Sequence, residues 1–310
     1  HRMTPAISII MPVHNAAATL AASVASVQAQ SVRNWELIII DDGSRDDSLA
    51  LAMALAAGDD RIRLVATLNG GPARARNLAA GLARAPLIAF LDADDLWAAT
   101  KLARHLALHA ARPGLAGSFG RIGFLPQHGT DLAACRTLSG LPAGPLRLID
   151  VLGENPVCTM SNLVVRRDAF QALGGMDPGL SHAEDQALVA AIIAAGGELG
   201  AIDALLVGYR FSPDGLSMDL DAMKAGWRRV AARHLAGPAL ARQEALYCRY
   251  LARRSLRSAG RPGRALHHVW TGLRLDAAAF LADRRRGLAT IAGALAAPLL
   301  PRPLRTTLFA

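Results

Sequence analysis

The sequence predicts an α/β protein, in which a doubly wound, mostly parallel sheet is followed by a C-terminal helical region. Apolar runs of strand length alternate with alanine-rich helical segments over about the first hundred residues, a pattern typical of parallel sheets. From Met223 onward, arginines recur among alanine and leucine at helical spacing. We therefore expect three parts, which are residues 1–112, residues 113–222 and residues 223–310.

The first part contains four predicted strands with a helix between each pair. Pro12 lacks an amide hydrogen and should end the first strand. The fourth strand is an apolar run that leads directly into a group of aspartates. The predicted strands are Ala6–Met11, Trp35–Ile40, Arg61–Ala66 and Ala85–Leu91, and the helices are Ala16–Gln30, residues 46–58 and Ala73–Arg84.

The second part gives weaker signals, because residues 113–160 are rich in glycine and proline. Asn162–Val165 has the composition of a strand. Ser181 and Glu184 have the Ser-x-x-Glu spacing of a capping box. This spacing predicts that Ser181 caps an apolar helix reaching Ala195, and it gives Glu184 a structural role.

Acidic side chains collect where two predicted strands end. Asp41 and Asp42 follow the second strand, and Asp92, Asp94 and Asp95 follow the fourth. Ligands bind at the carboxyl ends of strands in such sheets, so we expect these carboxylates to lie together. If the last segment is extended, Asp92 and Asp94 point the same way. Close carboxylates are unfavourable unless a cation or ligand neutralises them, and oxygen ligands suit Mg²⁺ or Mn²⁺. The alternative is an ordinary polar βα loop.

Composition and charge limit the class of protein. The 310-residue chain is 52% hydrophobic and 19% charged, which argues against global disorder. Its three cysteines show no CxxC spacing, so we expect neither a zinc site nor a disulfide framework. Residues 1–223 carry 17 basic and 22 acidic side chains, whereas residues 224–310 carry 17 basic and 3 acidic ones. The basic end favours phosphate groups or an anionic membrane surface, and it lacks the interleaved aromatics expected of a nucleic-acid-binding segment.

Four motifs, taken together and in order, resemble those of the family 2 glycosyltransferases, which are inverting enzymes with the GT-A fold. The motifs are SIIMPVHNAAATL, ELIIIDDGSRDDS, LNGGPARARNLAAGLARAPLIAFLDADD and GGMDPGLSHAEDQALVAA. The resemblance covers residues 6–220. It implies transfer of one sugar from a nucleotide-sugar donor, UDP-linked in our interpretation, to a hydroxyl of a glycan or lipid-linked acceptor during polysaccharide or cell-envelope glycan synthesis.

The resemblance also assigns the donor site. Asp41 or Asp42 would accept hydrogen bonds from the base or ribose, and Asp92 would contact ribose or a metal-bound water. Asp94 would bind Mn²⁺ or Mg²⁺, which neutralises the departing diphosphate. The implied donor-binding residues are Pro12, His14, Asn15, Asp41, Asp42, Arg74, Arg76, Asp92 and Ala93. For the two arginines, a solvated helix face is the alternative.

The acceptor side falls on the fourth motif. Inverting transfer needs a base for the acceptor hydroxyl, and we choose Asp185 because Glu184 has the predicted capping role. The implied acceptor-side residues are Glu184, His182 and Met176. The family's processive Gln-x-x-Arg-Trp motif is absent, which favours single-sugar addition. Ser212 stands where the family often has a histidine.

Two alternatives to a transferase remain open. A sugar-phosphate nucleotidyltransferase shares a similar nucleotide-binding half, but it should carry a glycine-rich basic loop where this chain has Pro12–Asn15. A nucleotide-sugar-binding or membrane-assembly protein without catalytic activity would keep the donor site alone. We expect a cytoplasmic protein, held peripherally at the inner face of the cell membrane by its basic helices.

Overall fold

The computed structural model describes residues 4–126, 129–135, 137–210, 218–257, 262–301 and 304. The chain divides into two compact units. The sheet unit comprises His1–Leu148 with Pro156–Ser212, and the helical unit comprises Ile149–Asn155 with Pro213–Ala310. The short segment Ile149–Asn155 therefore belongs with the C-terminal helices, although it lies in the middle of the sequence.

The described part of the sheet unit contains the following elements. The strands are β1 (Ile7–Val13), β2 (Trp35–Asp42), β3 (Ile62–Thr67), β4 (Leu87–Phe90), β5 (Leu96–Trp97), β6 (Gly117–Leu125), β7 (Val164–Arg166) and β8 (Leu199–Arg210). The helices are α1 (Leu20–Gln28), α2 (Ser48–Gly58), α3 (Pro72–Leu82), α4 (Lys101–Ala111), α6 (Arg167–Ala172) and α7 (Glu184–Ala194), while α5 (Leu148–Glu154) leads into the helical unit.

One mixed sheet joins the strands in the order β3-β2-β1-β4-β7-β6-β8-β5. The first four of these run parallel to one another, as the alternation of strands and helices predicts. β7 then pairs antiparallel with both β4 and β6, and β8 runs parallel to β6. The predicted fold class is confirmed, with antiparallel pairing concentrated in the second half of the sheet.

Pro12 does not end β1, contrary to the prediction. The strand continues to Val13, and Pro12 pairs in register with Ile40 of β2. Ile10 directs its carbonyl toward the β4 side, where it accepts from Leu91 N at 2.9 Å. Backbone polar groups of successive residues point to alternate sides of a strand. The backbone nitrogen of Pro12 therefore points to the same side as that of Ile10, where β4 has already ended. The missing amide hydrogen therefore removes no ladder bond.

The helical unit is built around aromatic packing and one buried arginine. Its described helices are α5, α8 (Leu220–Ala231), α9 (Gly237–Arg257), α10 (Pro262–Phe280) and α11 (Arg284–Ala296). Trp227 stacks on Tyr247 with ring centroids 4.7 Å apart, and its Nε1 donates to Leu152 O at 2.8 Å. Arg249 donates from Nε to Glu154 Oε1 (3.0 Å) and from Nη1 to Phe280 O (3.0 Å). No helix within the described ranges is both long and apolar enough to cross a membrane.

A buried polar network fastens α4 to the sheet. The Lys101 side chain is fully buried, and its Nζ lies 3.0 Å from His105 Nε2 and donates to Asn162 O at 3.2 Å. His105 Nδ1 and His109 Nε2 lie 2.7 and 2.9 Å from Ser118 Oγ. Desolvation lowers the pKa of Lys101 to about 7 from its ordinary 10.5, so burying its charged form opposes folding.

This network predicts a specific pH dependence of stability. Between about pH 7 and about pH 10 the unfolded chain binds a proton at Lys101 that the folded chain has lost, so the free energy of unfolding rises with pH. From about pH 7 to about pH 9 the lysine contributes about 2 kcal/mol to that rise. Lys101→Met should flatten it, as measured by urea unfolding at both values. The exposed neighbour Arg104 provides the control, and Arg104→Met should keep the wild-type slope. Equal slopes in all three proteins would contradict the interpretation.

Candidate active site

The carboxyl ends of β1, β2 and β4 lie side by side along one edge of the sheet. Asp41 and Asp42 end β2, and Asp92 lies two residues beyond the end of β4. β1 lies between these two strands, so His14 and Asn15 follow it at the centre of the edge. The parallel topology therefore gathers donor-site residues predicted from three separate segments.

Asp42 holds the glycine turn that precedes α3. Its carboxylate accepts hydrogen bonds from Gly70 N (2.7 Å) and Gly71 N (2.8 Å). Asn69 Nδ2 donates to the carbonyl of Asp42 at 3.0 Å. Both side-chain oxygens of Asp42 are therefore used in hydrogen bonds that stabilise the turn. Local sequence patterns do not reveal this role, because the partners are more than 25 residues away.

Asp41 keeps an acceptor free. Its Oδ2 accepts from Ser44 N at 3.2 Å, whereas Oδ1 is buried without a hydrogen-bond partner in the described part of the chain. A buried carboxylate oxygen without a partner is unfavourable. Of the two aspartates that the sequence left as alternatives, Asp41 is therefore the one whose side chain has unused hydrogen-bonding capacity.

The loop after β1 is fixed by its neighbours. His14 Nδ1 lies 2.9 Å from Asp42 O, and the His14 side chain is otherwise exposed. Asn15 adopts a left-handed backbone conformation (φ 51°), which asparagine tolerates well. Its Oδ1 accepts from Arg45 N at 2.8 Å, and its own amide donates to Ser44 Oγ at 3.1 Å. Pro12 is half-buried at the end of β1.

The aspartate segment after β4 is a turn, not the extended segment that the sequence predicts. β4 ends at Phe90, and Asp95 N donates to Asp92 O at 3.1 Å. Such a bond reverses the chain, so the expectation that Asp92 and Asp94 project like alternate strand residues is wrong. Ala93 is buried in the turn, where its carbonyl accepts from Ser23 Oγ at 2.9 Å.

Three residues that the sequence did not identify support this turn. The buried carboxylate of Asp95 accepts from Arg210 N (3.1 Å) and contacts Thr159 Oγ1 (3.5 Å). Ser161 Oγ accepts from Asp92 N at 3.0 Å. Desolvation raises the pKa of Asp95 well above its usual value, and the two neighbouring aspartates raise it further. Thr159 and Ser161 follow the glycine- and proline-rich stretch, where no spacing marks them.

Arg76 connects this turn to α7. The residue is buried, with 4% of its surface exposed, and its Nη2 donates to Asp92 Oδ1 at 2.6 Å. Its Nη1 donates to Glu184 Oε1 at 3.4 Å. Desolvation lowers the pKa of Arg76, but the two carboxylates more than reverse this effect and raise it. The guanidinium thus neutralises carboxylates from two distant segments, and a solvated helix face, the alternative interpretation, is wrong for this residue.

Arg74, two residues earlier, has a different environment. It is exposed. Its Cδ approaches Gly70 so closely that a Cβ atom on that residue would lie only 2.6 Å from it. Beside it lies a cavity of about 280 Å³. The lining residues are Asp42, Thr67, Leu68, Arg74, Ala75 and Leu78. Arg74 is therefore the arginine of α3 whose side chain borders open space.

The predicted capping box is wrong. α7 begins at Glu184, its N-cap is Ala183 in a left-handed conformation (φ 62°), and no side chain caps it. Glu184 is therefore the first helical residue, not the third, and its carboxylate binds Arg76. Ser181 Oγ instead lies 3.2 Å from His182 Nδ1. The capping role that excluded Glu184 as the base does not exist, so the assignment of Asp185 needs another argument.

The environment of Asp185 is what suits its carboxyl group to act as a base. Desolvation raises the pKa of Asp185 to about 7, the charge of Glu184 raises it as well, and Arg76 opposes both. A carboxyl group that titrates near neutrality is suited to accepting a proton at physiological pH. Arg76 thus influences both acidic residues at the start of α7.

The remaining acceptor-side residues lie close to α3 and α7. The Asn77 side chain binds both backbone polar groups of Met176. Met176 N donates to Asn77 Oδ1 (2.8 Å), and Asn77 Nδ2 donates to Met176 O (2.7 Å). The Met176 side chain is buried, and His182 is half-buried. Ser212 lies outside the residues that the structure describes.

Asp94 is the residue that fits a metal ion. Desolvation and the charge of Asp92 raise its pKa to about 6, and its carboxylate accepts no hydrogen bond from another described residue. Within the described ranges, no group of three or more His, Cys, Asp or Glu side chains is arranged to hold a metal. Mg²⁺ often takes only one or two carboxylates together with substrate phosphates. A single free carboxylate therefore fits a divalent ion that shares its ligands with a bound diphosphate.

Comparison with solved structures agrees with this architecture. A mannosyltransferase from Pyrobaculum calidifontis, PcManGT, in complex with GDP-Man and Mn²⁺, aligns with a TM-score of 0.61 at 19% identity. The alignment covers 99% of this chain and 84% of that one. S. aureus TarS 1-349 in complex with UDP aligns with a TM-score of 0.56 at 16% identity, over 94% and 88% of the two chains. These likenesses show the GT-A glycosyltransferase fold.

Comparison of sequences shows the family. The Escherichia coli protein named UDP-Glc:alpha-D-GlcNAc-diphosphoundecaprenol beta-1,3-glucosyltransferase WfgD is 42% identical over 103 residues, which are 33% of this chain. The match spans 40% of that relative's length. The sequence model described as Glycosyl transferase family 2 matches residues 8–174, more than half of the chain. The chain therefore belongs to glycosyl transferase family 2.

Proposed function

We propose that this transferase is inverting and metal-dependent, and that it moves one sugar from a UDP-linked donor to a hydroxyl acceptor in cell-envelope glycan synthesis. The observation that carries the proposal is the Arg76 guanidinium, which binds Asp92 of the turn after β4 and Glu184 at the start of α7. Through their charges, Arg76 and Asp92 also shift the pKa of Asp185, the predicted base, in opposite directions.

The donor assignment rests on the sheet edge. Asp41 Oδ1 is an acceptor that an imide N–H or a ribose hydroxyl would satisfy. Asp42 and Arg74 border the nearby cavity, which suits a nucleotide base. The E. coli relative is named for UDP-glucose, and that name favours a uridine nucleotide over the guanosine nucleotide bound by the Pyrobaculum calidifontis mannosyltransferase.

The divalent ion would be held by Asp94 together with the donor's diphosphate. When bound, it would supply positive charge to the leaving diphosphate as the bond to the sugar breaks. Arg76 acts indirectly, because it fixes the Asp92 carboxylate and holds the turn in position. The Asp95 carboxylate is occupied by backbone and hydroxyl donors, so we assign it to supporting the turn.

Asp185 would act as the base. Its carboxylate takes the acceptor hydroxyl proton as that oxygen forms a bond to the anomeric carbon. The anomeric carbon–oxygen bond to the diphosphate breaks at the same time, and its electron pair leaves on the diphosphate oxygen. Attack from the face opposite the leaving group inverts the anomeric centre. The alternative protein without catalytic activity would bind UDP-sugars in calorimetry and transfer no sugar to any acceptor.

The raised pKa of Asp185 predicts the pH profile. Below about pH 7 the base is protonated and cannot accept the acceptor's proton, so kcat/KM should rise with pH and level off above about pH 7. Asp185→Asn should lower kcat by roughly 10²- to 10⁴-fold while UDP binding persists. The matched control is Asp203→Asn, which changes an exposed aspartate paired with Arg121. Wild-type turnover in the Asp185 variant would contradict the assignment.

The role of Asp94 can be tested without turnover. Mn²⁺ or Mg²⁺ should tighten UDP binding to the wild-type protein, and EDTA should abolish that gain. Asp94→Asn should bind UDP with the same affinity in either condition, as measured by calorimetry. If the metal-dependent gain persists in Asp94→Asn, another residue holds the ion.

The basic end of the chain supports a peripheral membrane partner. Leu288 and Leu295 of α11 are each 59% exposed, and a seven-residue spacing puts them on one face of the helix. Arg284–Arg286 form its first turn. An apolar helix face that follows a basic turn suits an anionic lipid surface, and this surface would be the cytoplasmic leaflet, where a lipid-linked acceptor is available.

Vesicle co-sedimentation checks this partner. The protein should bind phosphatidylcholine vesicles that contain phosphatidylglycerol, and Leu288→Ser combined with Leu295→Ser should weaken binding several-fold because apolar surface is lost. The control is the exposed Met53→Ser in the sheet unit, which should bind like the wild type. Failure of the wild type to bind even at low salt would rule out this partner and leave the transferase assignment unaffected.

A further inference from the structure

The helical unit contains a cavity that the transfer reaction does not use. It measures about 500 Å³, within the range of small-molecule sites. The lining residues that matter here are Arg253 and Arg257 of α9, and Asp283, Arg285, Arg286 and Thr290 at and within α11. Four arginines and one acidic side chain therefore face the same space.

Part of this positive charge is compensated. Arg286 donates from Nη1 to Glu154 Oε2 at 3.0 Å, and its Nε lies 3.3 Å from Asp283 Oδ2. Arg249, which does not line the cavity, binds the other oxygen of Glu154 at 3.0 Å. The two nearby carboxylates are thus already shared with Arg249 and Arg286.

The charges of Arg253 and Arg285 are not compensated in this way. Neither has a hydrogen-bonded or ion-paired carboxylate among the described residues, and Arg253 is half-buried. Desolvation lowers the pKa of Arg253, and Arg257, Arg286 and Arg249 lower it further, against the opposing charge of Glu154. Like charges held close together in a partly dehydrated cavity favour a bound anion.

The chemistry of the lining identifies the class of anion. Planar guanidinium groups bind phosphate oxygens in pairs of parallel hydrogen bonds. The start of α11 does not supply the site, since Asp283 already caps it by accepting from Arg286 N at 3.0 Å. Recognition would therefore come from the arginine side chains of two helices.

We propose that this cavity is a binding site for a phosphate or diphosphate group. Its source is either the headgroup of an anionic lipid or a soluble phosphate compound. The site lies wholly within the helical unit, and its existence does not depend on the transfer reaction. Some of the arginines at this end of the chain would then bind one particular chemical group, and would not only attract anions in general.

Calorimetry of the full chain with inorganic pyrophosphate tests the site. The titration is run without divalent metal, so that binding at the aspartate turn is disfavoured. Wild-type protein should bind, and Arg253→Gln combined with Arg257→Gln should bind at least about tenfold more weakly. Because Arg253 is half-buried, the exposed Arg285→Gln is a second variant that does not risk the fold, and it should also bind more weakly.

The control is Arg274→Gln, which removes an exposed arginine of α10 that lies over Trp270. It changes the net charge by the same amount as Arg285→Gln and should bind like the wild type. UDP affinity measured with Mn²⁺ should be unchanged in every variant, which separates this site from the donor site. No pyrophosphate binding, or equal losses in Arg285→Gln and Arg274→Gln, would overturn the proposal.

Vesicle flotation distinguishes the two sources. Vesicles of phosphatidylcholine with phosphatidic acid present phosphate monoesters, and vesicles of phosphatidylcholine alone do not. Binding to the first kind that pyrophosphate reverses, and that Arg285→Gln weakens, supports a lipid headgroup. Pyrophosphate binding with no response to either vesicle supports a soluble phosphate compound.

Discussion

The sheet unit depends on how negative charge is neutralised at one edge of a parallel sheet. Parallel strands bring several carboxylates to that edge, and each carboxylate has different partners. Asp42 binds backbone amides, Asp95 is buried among hydrogen-bond donors, and Asp92 shares the Arg76 guanidinium with Glu184. Asp94 has none of these partners, and its carboxylate accepts no hydrogen bond from another described residue.

Much of this arrangement could be predicted from the sequence, because it follows from topology. Apolar runs and turn residues predict the parallel strands, and parallel strands bring Asp41 and Asp92 to one edge without any knowledge of side-chain contacts. The contact between Arg76 and Glu184 could not be predicted in the same way. It joins residues 108 positions apart, and no local pattern encodes such a distance.

Where local patterns misled, the structure shows a competing constraint. The Ser181 and Glu184 spacing matches a capping box, but the Glu184 carboxylate binds Arg76 Nη1 at 3.4 Å and no side chain caps α7. The helix accordingly starts later, after Ala183 in a left-handed conformation. Proline normally ends a strand, yet Pro12 continues β1 because no neighbouring strand needs its amide hydrogen.

The two arginines of α3 differ in how much the fold depends on them. Losing Arg76 would leave carboxylates of two distant segments without a counter-charge, so that position is constrained by folding itself. Arg74 borders the cavity and is exposed, and its replacement disturbs no ion pair among the described residues. A change at Arg74 would therefore alter the lining of this cavity, whereas a change at Arg76, two residues away, would disturb the two carboxylates that it neutralises.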